Sequence, residues 1–427
     1  MTVEITQLHQ PIDVMYFIHR ALRAEAKRVE QAVTRLEIGG SFKPFLPVFY
    51  HWATALGYHI EVEAQHMFAR LPNTTLCQDV DAEKRLMERL EDLQTYLHTE
   101  IGRTMVIART QRNLFAKVVA LRMVQNDLLE AEEAEVLPVL RQQLSPVQQL
   151  EIARHLLMDA DAQDPTEMLR WVGQDLTATE QHVLAKLTAH FEWTLANSDA
   201  SMAAIHGHGN APPRPLSAGG WETPRAIHRF QSPIDVMYPL HNALRAQAEG
   251  MEQAVRQLET GHSPQRIGQT FAHWARALEY HAAMEDKYMT SLLPDRPSAR
   301  DNEAAHQHLT SLLEALQATL HEASGQTAVT ARTQRRLLGQ VVLLRVAQDD
   351  HLEDEEELVL PVIRQRLSEA QQLAIAGRML LDQTAPQPRW ILDWAAPYMS
   401  PSEQAWLTDL ATRVASETSV RTPVTCS

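Results

Sequence analysis

Apolar residues recur at steps of three and four along most of the chain. In its second half one such seam runs through Met237, Leu244, Ala248, Met251, Val255 and Leu258, and a second through Trp274, Leu278, Tyr288 and Leu292. A third runs through Leu309, Leu313, Leu316 and Leu320, and a fourth through Leu337, Val341, Leu344, Leu358 and Val362. That period puts the side chains on one face of an α-helix. Long helices are predicted over roughly 233–260, 264–292, 299–324 and 328–366. The breaks between them, such as "TGHSP" and "PDRPS", are short and polar, which suits an antiparallel up-down-up-down four-helix bundle. Shorter helices follow in "SEAQQLAIAGRML", "PQPRWILDWA" and "SPSEQAWLTDLATRV".

The pattern is written twice. "PIDVMYFIHRALRAEAKRVEQAVTRLE" at 11 returns as "PIDVMYPLHNALRAQAEGMEQAVRQLE" at 233, and "ARTQRNLFAKVVALRMVQND" at 108 returns as "ARTQRRLLGQVVLLRVAQDD" at 331. The offsets are 222 and then 223, as a tandem duplication gives. The Gly-, Pro- and Ala-rich stretch between the copies has no hydrophobic period. Three segments are expected: a first domain over 1–196, a linker over 197–225 and a second domain over 226–427, each domain a bundle with a C-terminal helical extension.

Composition agrees with an all-α chain: 44% of the 427 residues are apolar, only 6% aromatic, and 15 are Gly. A net charge of -15 argues against nucleic acid as a partner, because that affinity rests on cations that neutralise phosphates. Two cysteines, Cys77 and Cys426, cannot build a disulfide framework or a cysteine-rich zinc module. The N-terminal "MTVEITQLHQPIDVMYFIHR" lacks the features of a secretory signal, and no apolar run reaches the roughly 18 residues that span a bilayer. A soluble, cytoplasmic protein with no membrane partner is expected.

The seams are interrupted by polar residues. His241 lies on the first, His281 and Glu285 on the second, His306 one step before Leu309 on the third, and His351 and Glu355 on the fourth. His241 and His306 lie near the starts of their helices, Glu285 and Glu355 near the ends of theirs, so antiparallel packing brings all six to one end of the bundle. Burying two carboxylates and four imidazoles costs several kcal/mol unless something compensates them. A metal centre does so, and nitrogen and oxygen donors without thiolate suit iron, with manganese or zinc as the other candidates. Two bridging carboxylates and four imidazoles would fill about eight of the twelve positions of two octahedra. An oxo or hydroxo bridge would fill two more and leave room for dioxygen or peroxide.

A lone His, a His-x-x-x-Glu, a second lone His and a second His-x-x-x-Glu on successive helices resemble the hemerythrin-like HHE cation-binding family. His241, "HAAME" (281–285), His306 and "HLEDE" (351–355) match that order. The resemblance implies that these residues ligate a non-haem di-iron centre, with Glu285 and Glu355 as bridges. "PIDVMYFIHRALRAE", "EEELVLPVI" and the Trp-containing extension also resemble the tandem hemerythrin repeats of BRUTUS-type iron sensors. Those continue into CHY-type zinc fingers and a RING, which two cysteines cannot supply, so no ubiquitin-ligase activity is carried over.

The first copy departs from the pattern. It aligns His19, His59, Glu63 and Glu132 with His241, His281, Glu285 and Glu355, but Glu83 with His306 and Leu128 with His351. His66, in "EAQH", falls at the position of Tyr288. Altered metal binding through His19, His59, Glu63, His66, Glu83 and Glu132, or a structural pseudo-site, are the two readings. Gln125 and Gln348, one turn before the fourth-helix ligand position, read either as partners of ligands or as core amides, and His51 and His273 as structural. The chain as a whole is expected to bind iron and dioxygen in a sensing or homeostatic role, with a protein partner that reads the metal state. A di-iron peroxidase or oxygen-reducing enzyme and simple iron or oxygen storage are the alternatives.

Overall fold

A computed structural model describes residues 4–70, 77–101, 105–159, 162, 164–196, 230–258, 263–290, 297–324 and 329–420. The chain divides into two compact units, Met1–Glu222 and Thr223–Ser427. The stretch 197–225 expected as a linker lies outside the described residues, as does Leu292 of the second seam. No strand occurs among the described residues.

The first unit is built on α1 (Met15–Thr34), α2 (Leu46–Val62), α3 (Cys77–Ile101) and α4 (Ala108–Ala131). Each packs on two of the others: α1 on α2 and α4, α3 on α2 and α4. Then come α5 (Leu137–Gln143), α6 (Pro146–Leu157), α7 (Glu167–Gly173) and α8 (Ala178–Ala196). In the second unit α9 (Met237–Arg256), α10 (Gln265–Tyr288), α11 (Pro297–Ser324) and α12 (Ala331–Asp354) close a ring in the same way. They are followed by α13 (Leu360–Arg366), α14 (Glu369–Leu380), α15 (Trp390–Ala395) and α16 (Pro401–Val420).

The seams explain the packing. Met237, Leu244, Ala248, Met251 and Val255 of α9 are buried, as are Leu309, Leu313, Leu316 and Leu320 of α11 and Leu337, Val341 and Leu344 of α12. The fourth seam then shifts. Leu358, expected inward, is 55% exposed, whereas Val359, Leu360 and Ile363 are buried. The cause is a π turn at Glu355–Val359, in which the Leu360 N–H donates to the Glu355 carbonyl, five residues back. The wider turn adds one residue and moves every later side chain round the helix by one position. Pro361 supplies a reason: it has no N–H for an α-helical bond, and its ring crowds the carbonyl four residues earlier. Glu132–Val136, just ahead of Pro138, is a π turn of the same kind, and a third spans Glu63–Met67.

Inside each ring an indole is tied across to the fourth helix. Trp52 Nε1 donates to Gln125 Oε1 at 2.6 Å, and Trp274 Nε1 donates to Gln348 Oε1 at 2.7 Å, all four residues being fully buried. The two glutamines are therefore indole partners.

The extensions clamp the ends of the rings. In the second unit the buried Asp235 accepts the backbone N–H groups of Gln231 and Ser232 and pairs with Arg364 beyond the π turn. Asp13 and Arg141 do the same in the first unit, 2.7 Å apart. Ser145 and Ser368 start α6 and α14 with reciprocal capping boxes, which satisfy N–H groups that a helix start otherwise leaves open.

Gln348→Leu strands the buried Trp274 N–H, at an expected cost of about 1–3 kcal/mol. In guanidinium titrations the unfolding step of the second unit should move to lower denaturant while that of the first stays in place.

Candidate metal centre

His241 lies one turn into α9, His306 on α11, His281 and Glu285 near the end of α10, and His351 and Glu355 where α12 gives way to the π turn. The structure brings all six together, none more than 5% exposed. Their donor atoms form two groups, His241, His281, Glu285, Glu355 and Glu285, His306, His351, Glu355, each within 4.8 Å throughout and sharing both carboxylates.

The two oxygens of each carboxylate face different histidines. Glu285 Oε1 lies 2.8 Å from His281 Nε2 and 3.9 Å from His241 Nε2, while its Oε2 lies 3.3 Å from His306 Nε2 and 3.9 Å from His351 Nε2. Glu355 Oε2 faces His241 at 3.5 Å and His281 at 3.9 Å, and its Oε1 faces His351 at 3.7 Å. Metal–donor bonds of about 2.0–2.2 Å place the donors of one ion roughly 3–4 Å apart, so this spacing fits an ion within each group.

Two of the outer ring nitrogens are held. His241 Nδ1 lies 2.8 Å from Glu356 Oε1, which also accepts from Arg245 at 2.8 Å, and His306 Nδ1 lies 2.8 Å from Asp286 Oδ1. Such carboxylate–imidazole pairs fix the tautomer that leaves Nε2 free to ligate. Glu356 and Asp286 escaped the reading of the seams because both point away from the apolar face. The signal was an acid directly after each clustered glutamate, in "EEE" and "ED".

Electrostatics separate the two carboxylates. Burial opposes ionisation of Glu285, but the imidazoles of His281, His241 and His306 hold it well below the usual carboxylate range. Burial and the neighbouring charge of Glu285 push Glu355 well above that range. Burial also lowers His281 and His351, whereas in His241 and His306 burial is outweighed by their carboxylate partners and the rings are raised. Glu356 sits at about 2, burial being overcome by His241 and Arg245. Within the cluster, His241 Nε2, His281 Nε2 and all four oxygens of Glu285 and Glu355 are buried without a hydrogen bond. His306 Nε2 and His351 Nε2 face each other at 2.9 Å. These are nitrogen and oxygen donors aimed at common points, as a cation requires.

Three further residues of α10 and α11 lie outside the cluster. Tyr288 is half-buried, with Lys287 Nζ 5.1 Å and Arg378 5.8 Å from its ring centre, and Met289 fills the inner position instead. His308 and His273 are exposed.

In the first unit His19, His59, Glu63 and Glu132 form one buried group within the same 4.8 Å limit. His19 Nε2 lies 3.3 Å from Glu132 Oε2, and His59 Nε2 lies 3.2 Å from Glu63 Oε1 and 4.0 Å from Glu132 Oε2. His19 Nδ1 bonds Glu133 at 2.8 Å, and Arg23 joins the same oxygen at 2.7 Å. The structure does not bring His66 and Glu83 into the group. The His66 ring stacks on His155 at 3.9 Å, because the π turn at Glu63–Met67 rotates it off the inner face and leaves Met67 buried in its place. Glu83 is half-buried on α3, and Leu128, 2% exposed, occupies the fourth-helix position. His51 is exposed, edge-on to the buried Trp171.

Residues 232–374 match the family model described as "Hemerythrin HHE cation binding domain". The match takes in α9 to α12 and all six clustered residues, and a domain of this class binds metal ions, typically iron. No curated protein and no solved structure matches the chain. No helix among the described residues is long and apolar enough to cross a membrane.

Glu356→Gln keeps the shape of the His241 partner but removes its charge. A roughly 10- to 100-fold weaker affinity of the second unit for its metal is expected, read by competition with a chromophoric chelator.

Proposed function

We propose that the second unit carries a non-haem di-iron centre on His241, His281, Glu285, His306, His351 and Glu355, and that the chain handles or senses iron and dioxygen in iron homeostasis. One observation carries this reading: Glu285 and Glu355 each offer one oxygen to the His241/His281 pair, while the other oxygen of each turns toward the remaining histidines. A carboxylate so placed can span two ions, and four imidazoles with two such bridges leave positions for a small ligand. Bound iron would supply reversible binding of dioxygen.

The chain's own residues set the conditions. Apolar walls from Leu244, Leu278 and Leu309 keep bulk water from the cluster, Glu356 and Asp286 orient two of the imidazoles, and the clamp from Asp235 to Arg364 holds the two helix ends together. Sensing has a physical basis, because losing the ions leaves two carboxylates facing one another in an apolar interior. That end of the unit would then loosen and present a different surface to a protein partner. The repeated sequence and the equivalent helix order of the two units support reading both as tandem hemerythrin-like bundles, of the sort found in BRUTUS-type sensors without their zinc-finger and RING part. A cytoplasmic setting is consistent with that role.

The test is metal analysis of the full chain purified anaerobically with ferrous iron. The second unit should account for two irons, and His351→Ala should lose at least one. Chelation should lower the thermal midpoint of the second unit, and exposure to air should change the optical spectrum of the loaded wild type only. Zinc alone, or an iron content that Glu285→Gln together with Glu355→Gln leaves unchanged, would overturn the reading.

A further inference from the structure

The first unit lies outside the family match, yet its buried group has lost residues in a pattern that is not random. Every element of one half of the second unit's cluster is retained: His241, His281, Glu285, Glu355, Glu356 and Arg245 correspond to His19, His59, Glu63, Glu132, Glu133 and Arg23. Every element peculiar to the other half is gone: His306, His351 and Asp286 correspond to Glu83, Leu128 and Ala64.

We propose that the first unit holds a single first-row divalent cation on His19, His59, Glu63 and Glu132. The donor atoms stand about 3–4 Å apart along the pairs that touch, the spacing a single ion imposes. Both nitrogens of the His59 ring, 1% exposed, lack a hydrogen bond, as do His19 Nε2 and both oxygens of Glu132. A fully buried imidazole that makes no hydrogen bond costs free energy that a ligand at Nε2 removes. Glu133 and Arg23 fix the His19 ring as Glu356 and Arg245 fix His241, so the outer support of a ligand has been kept as well.

The donor count points to one ion. Two imidazoles and two carboxylates remain in the first unit, where the second unit brings four imidazoles to its two carboxylates. A second cation would find Leu128 where the second unit offers His351.

The experiment uses the full chain with Glu285→Gln and Glu355→Gln, which remove both bridges from the second unit, stripped by chelator and titrated anaerobically with cobalt(II). One cobalt per chain is expected, with visible d–d absorption, and about 100-fold or greater loss of affinity on adding His59→Gln or Glu132→Gln. No cobalt bound with helical circular dichroism intact would overturn the proposal. So would a cobalt content that neither added substitution lowers. Should the double-bridge variant fail to fold, His59→Gln alone in the wild-type chain should lower total cobalt by one equivalent, and an unchanged total would overturn the proposal equally. The outcome is independent of whether the second unit holds two irons, since every arm reads the first unit's own residues.

Discussion

Two carboxylates stand side by side in an interior of leucine, valine and methionine, and much else in each unit follows from that. Glu285 and Glu355 are at most 1% exposed. In low dielectric their mutual repulsion outweighs anything the apolar walls offer, and the groups are driven apart in acidity, one far below and one far above the ordinary range. Without cations the site stays neutral only by holding protons that belong elsewhere. Cations held between the oxygens would turn that repulsion into attraction and let the same residues tie α10 to α12.

Several features read as support for that junction. An indole on α10 bonds an amide on α12 one turn from the cluster, an aspartate ahead of α9 reaches an arginine of α13, and carboxylates outside the ring seat two imidazoles. The π turn at Glu355 belongs with them. A regular helix would carry the seam through Leu358, but the extra residue turns Val359 and Leu360 inward and lets Pro361 follow without a clash. Three of the four clustered glutamates, Glu63, Glu132 and Glu355, begin such a turn, and Glu285 sits instead in unbroken α-helix. A wider turn at the carboxylate lets its side chain enter the core at an angle that the α period alone would not give.

What the sequence made legible was whatever depends on helical period. Steps of three and four located α9 to α12 and their buried faces, and they placed His241, His281, Glu285, His306, His351 and Glu355 on one end of the ring. The period failed where the helix departs from it. His66, Tyr288, Leu358 and Val362 were assigned inner positions by counting straight through the second and fourth helices. The π turns at Glu63 and Glu355 move His66, Leu358 and Val362 off the inner face. At Tyr288, where α10 ends, the inner place goes to Met289. Pro138 and Pro361 were visible signs of trouble on the fourth helices, whereas nothing comparable marks the turn at Glu63. Glu356, Asp286 and Glu133 were missed for another reason: they act from the side opposite the seam, and only three-dimensional placement shows which exposed-looking acid reaches a ring nitrogen.

The comparison between the units sharpens what the cluster is for. Had the first unit simply lost its function, polar residues should have been replaced one by one by apolar ones, since each such replacement relieves a desolvation cost. Instead the replacements fall on one half of the cluster together with that half's outer acid, and the remaining half keeps its ring support, its arginine and both glutamates. A carboxylate pair retained at 0% exposure beside an imidazole with no hydrogen bond is a burden with no structural return. Trp52 and Gln125 already tie the same helices without charge, so the packing does not need Glu63 or Glu132. Their persistence is explained if something positively charged completes them, and the retained set forms one donor group where the second unit forms two.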